Sequence, residues 1–189
     1  GLIEIISRII DIFSIIFSAF ITCYIFNTDS NVLHNLAYLV IIKSLICLIV
    51  FKETQLYRSW RGRPYSDQFS RLFIAYLFSS LLAFVVWSLL GMEKFFSYSM
   101  LLTWLFLSFL FIFFLRATAY ITIRHLRKKG INQKKIIIYG AGRLGLSLIN
   151  QINLSPESGF IVSYFLDDNK LTHGKKLKDV VIAGGIEEL

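Results

Sequence analysis

The chain has 189 residues, 56 % of them hydrophobic and 16 % aromatic, with a formal charge of +8. Its mean hydropathy of +0.64 is far above that of a water-soluble domain of this length, which argues for lipid-facing surface over a single soluble core. The charge does not point to nucleic acid: most basic residues before Gly140 stand beside apolar runs, where they report membrane orientation, and form no solvated basic face.

A bilayer is crossed by about 20 predominantly apolar residues, and four stretches qualify: residues 5–26, 32–51, 72–90 and 95–115. The first is too long for a cleavable signal and lacks a small-residue cleavage site. The chain begins with Gly1 and not Met, which reads as a portion of a longer product. Cys23 and Cys47 lie inside apolar runs, too few for a disulfide framework or a zinc site, and are expected to be small buried hydrophobes. No metal-binding set stands out.

The loop NTDSN between the first two spans carries no Lys or Arg, and GMEK between the third and fourth carries only Lys94. The second loop, by contrast, holds Lys52, Arg58, Arg61 and Arg63, with Arg71 at the next helix start. After the fourth span come Arg116, Arg124, Arg127, Lys128, Lys129, Lys134 and Lys135. This bias puts the second loop, the C-terminal part and, by parity, the N-terminus in the cytoplasm of a multi-pass inner-membrane protein. Two charges fall within spans. Asp11 is spaced i, i+3 from Arg8 and can pair with it, or with Lys43 of the next helix, and Lys43 can snorkel towards the cytoplasmic end of its own helix. A potassium pore is excluded, because no filter loop of the TVGYG kind is present.

In QLYRSWRGRP, residues 55–64, Tyr57 and Trp60 suit the headgroup layer and Arg58, Arg61 and Arg63 suit phosphates. The set fits either general interfacial anchoring or a specific polyprenyl-phosphate contact made by bidentate guanidinium groups. Residues 116–133 then read as a basic interfacial helix and linker, the helix ending at Gly130, with His125 an interfacial side chain.

From residue 134 the pattern changes. Lys135–Tyr139 is a short apolar strand, and Gly140, Gly142 and Gly145 form G-x-G-x-x-G ahead of the helix LGLSLINQINL. SPESG turns the chain into FIVSYFLDD, a second strand ending in Asp167 and Asp168, where a ribose partner is expected. Backbone N–H groups of the loop would hold a phosphate. Val180–Ala183 is a third short strand and Ile186–Leu189 the first turn of a helix. The same glycines also serve close helix–strand packing, so the pattern alone leaves binding and packing both open. The predicted architecture is a four-helix transmembrane bundle over 1–115, the basic linker, and a partial α/β Rossmann-like domain over 134–189.

The order of these segments, with LYRSWRG between the second and third spans and then LRKKGINQKKIIIYGAGRLG and GFIVSYFLDD, resembles the N-terminal region of bacterial polyprenyl glycosylphosphotransferases. These undecaprenyl-phosphate glucose- or galactose-1-phosphate transferases begin capsule, O-antigen and exopolysaccharide assembly, and the resemblance covers essentially the whole chain. It implies a lipid acceptor, undecaprenyl phosphate, and a UDP-sugar donor. It also implies an Asp–Glu pair with Mg²⁺, in a C-terminal catalytic domain that residues 1–189 do not contain, so no catalytic residue is carried over. The nearest rival is the membrane-bound nucleotide-sugar 4,6-dehydratase or epimerase group, whose second loop reads YR-x-x-WRYAS where this chain has YRSWRGRP. In either parent the expected role of this stretch is membrane anchoring, with regulation or self-association, and with UDP-sugar or NAD as the nucleotide at the glycine loop. A stand-alone, non-enzymatic membrane module is the reading from a different class.

Overall fold

The computed structural model describes residues 2–57, 61, 65–185 and 187, the side chains of Leu2, Ile3 and Tyr65 excepted. It divides into two compact units, Gly1–Ala119 and Tyr120–Leu189.

The first unit is built from α1 (Leu2–Ile25), α2 (Ser30–Glu53), α3 (Tyr65–Leu89) and most of α4 (Tyr98–Lys128). All four helices are long and apolar enough to cross a membrane. In hydrocarbon every backbone polar group must be bonded within the segment, which selects helix for these Ile-, Leu- and Phe-rich runs whatever their intrinsic propensity. Large apolar side chains such as Ile9, Phe20, Leu81, Phe106 and Phe114 point outward. The interior is packed by Ile15, Leu36, Leu39, Phe51, Trp87, Trp104 and Ile112, while the hydroxyls of Ser14, Ser18 and Thr22 line one buried face of α1. Each of these hydroxyls bonds a carbonyl of the preceding turn, and Trp104 Nε1 donates to the Ile15 carbonyl at 3.2 Å. Small polar groups facing in and bulky apolar ones facing out is the arrangement a lipid solvent demands.

The two charges within the spans differ from expectation. Asp11 pairs with neither Arg8 nor Lys43. Its carboxylate, 1 % exposed, accepts from Arg116 Nε at 2.8 Å and Arg116 Nη2 at 2.5 Å, and from the Tyr57 hydroxyl at 2.9 Å. A buried carboxylate needs both oxygens satisfied, and the guanidinium fork of another helix does this where an i, i+3 neighbour cannot. Arg8 turns instead to Glu4 at 2.5 Å, one helical turn away. Tyr57, expected among headgroups, is thereby buried in the bundle. Lys43 does not snorkel. It is fully buried and donates to Ser79 and Ser80 at 3.0 and 2.8 Å, with its ammonium 4.4 Å from the centre of the Tyr76 ring. Hydroxyls on α3 offer shorter contacts than the route to the interface.

In the second unit the end of α4 closes with a Schellman turn. The Gly130 N–H bonds the Arg127 carbonyl and the Ile131 N–H bonds the Leu126 carbonyl, both at 3.0 Å, around Gly130 at φ +87. The chain continues through β1 (Lys134–Tyr139), α5 (Arg143–Leu154), β2 (Phe160–Leu166), β3 (Lys176–Leu177) and β4 (Val180–Gly184). The sheet order is β1-β2-β4-β3, with β1, β2 and β4 parallel and β3 antiparallel to β4. Ile138, Val162, Phe165 and Ile182 of the sheet pack with Ile149 of α5 into a small core. The ladder between β1 and β2 skips Ser163, a bulge that keeps Val162 and Phe165 on the same buried face. The predicted third strand is β4, whereas β3, only two residues long, was not predicted. The helix start expected at Ile186–Leu189 rests on residues 186, 188 and 189, which lie outside the described residues.

Candidate functional site

The glycine loop joins the carboxyl end of β1 to the amino end of α5, where open α/β sheets hold their ligands. Its three glycines are not equivalent. Gly140 has φ +97, a conformation that an L side chain rarely adopts. Gly145 lies under the loop: a Cβ there would collide with the Gly140 carbonyl oxygen and stand 3.2 Å from the Phe165 ring. Both are therefore required by the fold. Gly142 is different. It caps α5 at φ −81 and ψ −162, ordinary extended backbone, and a Cβ there would meet nothing within 4 Å. Gly is a favoured N-cap residue, and the open space above Gly142 leaves its backbone accessible from outside the loop.

Asp167 and Asp168, at the end of β2, come beside this loop and divide their roles. Asp167 Oδ2 accepts from the Ala141 N–H at 2.7 Å, and its Oδ1 accepts from the Asn169 N–H at 2.9 Å. These two backbone donors, Asn169 first, hold the Asp167 carboxyl below its ordinary value. Asp168 accepts from the Tyr139 hydroxyl, and that bond pushes the Tyr139 phenol above its usual range. His173 Nε2 is 2.7 Å from the Asp167 carbonyl. Tyr139 and Ala141 are members of the site that the glycine pattern did not single out. The signal for Tyr139 was its place as the last residue of β1, next to the acids in a parallel neighbour.

One backbone donor of the loop is thus bound by an acid of its own chain. The first N–H groups of α5 lack partners within the helix, and the exposed Arg143 stands in its first turn. One donor, Ala141, is already taken by Asp167. Asp167 and Asp168 stand beside the loop, each already holding a donor of its own chain.

Arg58, Trp60 and Arg63 of the loop between α2 and α3 lie outside the described residues, and Arg61 is half-buried. Among the described residues there is no group of three or more His, Cys, Asp or Glu side chains able to hold a metal ion.

No curated protein matches the chain. A CoA-binding domain family, however, matches residues 52–189. That stretch takes in α3 and α4 as well as the sheet, so two apolar helices belong to the matched region along with the glycine loop. With most of its length matched, the chain belongs to the CoA-binding domain family, which is found in sugar-transferase and epimerase proteins of polysaccharide biosynthesis.

Proposed function

We propose that this chain is the membrane-anchoring and regulatory part of an undecaprenyl-phosphate sugar-1-phosphate transferase that initiates exopolysaccharide, capsule or O-antigen assembly, and that its glycine loop binds a nucleotide. The observation that supports the second half is Gly142, which caps α5 in ordinary extended backbone and leaves open space where a Cβ would stand, so that a phosphate could approach the main chain there. In this reading the loop and the start of α5 hold a phosphate, and Asp167 and Asp168 accept from ribose hydroxyls. The two acids favour an unphosphorylated ribose, as in UDP-sugar or NAD. They disfavour coenzyme A itself, whose phosphorylated ribose would bring an anion against two carboxylates. The family description and the donor set therefore part company on the ligand.

The four apolar helices fit a membrane protein, which supports a place in the bilayer with the lipid acceptor, and the basic loops support a cytoplasmic placement of both termini. Catalytic transfer is assigned to no residue of this chain.

Calorimetric titration of the full chain in nanodiscs with UDP, NAD and coenzyme A tests the site. UDP or NAD binds and coenzyme A does not; Gly142→Val abolishes binding while the protein stays folded, at the modest cost of a poorer helix N-cap. Absence of binding in the wild type sinks the nucleotide reading. The parent activity is tested by deleting the coding region from its host and analysing membrane lipids. Loss of undecaprenyl-linked sugar phosphate supports the transferase, whereas loss of a soluble 4-keto nucleotide sugar would assign the chain to the dehydratase group.

A further inference from the structure

The basic run after the fourth membrane helix separates into two sets. Arg124 binds Glu157 at 2.6 Å on the surface and Arg127 is buried, so both are engaged within the chain. Lys128, Lys129, Lys134 and Lys135 are exposed and make no ion pair with another described residue. The turn holds these four together. Gly130 and Asn132, at φ +87 and +59, reverse the chain between the two lysine pairs and leave Ile131 between them, 54 % exposed. Because β1 begins at Lys134, the cluster lies at the amino end of the sheet. The glycine loop is at the opposite end of that strand, about 20 Å away for six residues, so these lysines cannot serve a nucleotide there.

We infer that the turn 128–135 binds the anionic headgroups of the phospholipid leaflet from which α4 emerges. The inference rests on the membrane reading of the four helices and is independent of the nucleotide site. The 31 residues of α4 span about 46 Å, against a hydrocarbon core of about 30 Å. Its final turns therefore stand at or just beyond the headgroups, and the lysines are tethered within a few residues of them. Clustered lysines next to a span attract anionic lipid, and an apolar side chain set among cations is the composition of a contact that enters the interface without crossing it. Glu157, the partner of Arg124, also attracts Lys128, and Asp179 stands at the same end of the sheet before β4, against four lysines in the turn.

The test is hydrogen exchange on the full chain reconstituted in nanodiscs of phosphatidylcholine alone or with phosphatidylglycerol. Residues 129–135 exchange several-fold more slowly with the anionic lipid, and raised salt removes the difference, since exposed charges are screened beyond about 8–10 Å. Replacing Lys128, Lys129, Lys134 and Lys135 by Gln removes the lipid dependence. The equal charge change Lys170, Lys175, Lys176 and Lys178→Gln, elsewhere in the same unit, leaves it intact. Identical exchange of the wild type in both lipids overturns the inference, and so does an equal loss in the two variants, which would mean net charge alone is at work. The wild-type comparison needs no variant to fold.

Discussion

Asp11 and Arg116, 105 residues apart in sequence, meet inside the bundle as a two-bond ion pair that also holds the Tyr57 hydroxyl. Removing one partner leaves the other charged and buried, which costs about 3–5 kcal/mol. Arg116→Met and Asp11→Leu should each lower the unfolding midpoint in detergent sharply. The double replacement should recover most of the loss, because no charge is then stranded. Additive losses in the double variant would show that the pair is not what each single change disrupts.

Lys43 makes the opposite prediction. It is buried with hydroxyls and an aromatic ring around it and, among the described residues, no carboxylate bonded to it. Lys43→Met keeps the volume and removes the desolvated cation, so the thermal midpoint should hold or rise. Ser79→Ala with Ser80→Ala keeps the cation and removes its acceptors, at about 1–3 kcal/mol. A lower midpoint for Lys43→Met than for the serine pair would refute this account.

The three loop glycines should separate by mutation. Gly145→Ala drives a methyl into the Gly140 carbonyl, at about 1–3 kcal/mol for overpacking. Gly140→Ala forces an L side chain to φ +97, at about 1–2 kcal/mol. Gly142→Ala should cost least, about 0.5–1 kcal/mol for a poorer helix N-cap. Unfolding of each variant, followed by exchange of the Ile138 and Phe165 amides, checks the order. A Gly142→Ala as damaging as the other two would return that glycine to the fold.

Asp167 ties the loop to β2 in its ionised form. Its carboxyl is held below the ordinary 3.8, so the fold favours the carboxylate. That contribution is complete above the unfolded value and is lost as pH falls through the lower folded one, that is, below about pH 4. Protection of the Ala141 amide should therefore be flat from neutrality down to about pH 4 and drop below it. In Asp167→Ala it should be absent at neutral pH. Protection that persists in that variant would mean another group holds the loop.

The four helices were legible because hydrocarbon solvent leaves a long apolar run few alternatives. What the spans do with their charges was not. Arg116 follows the last apolar residue of its span and reads as one more inner-face cation, while its partner is fixed by how α1 and α4 pack, a relation that no spacing along the chain encodes. Tyr57 misled for the same reason: an amphipathic ring suits headgroups and buried carboxylates equally well. In the second unit the strand, loop, helix and strand succession was readable from glycines and apolar runs. The two-residue β3 was not, because a period of two cannot be seen in two residues. Nor did the pattern reveal that Asp167 binds the loop's own Ala141 amide, since an acid at the end of β2 has the same spacing whether it faces a ribose or its own chain.

The bulge at Ser163 has a consequence for how the length of this chain can change. Along a regular strand, losing one residue turns every later side chain to the other face. In β2 the ladder already steps over one residue: Ile136 pairs with Val162 and Ile137 with Tyr164. A chain lacking Ser163 would keep Phe165 in the core and Asp167 at the loop, with one continuous ladder in place of two. Insertions and deletions among related sequences should accordingly collect at this position, and an alignment gap placed elsewhere in the strand would misassign the acids.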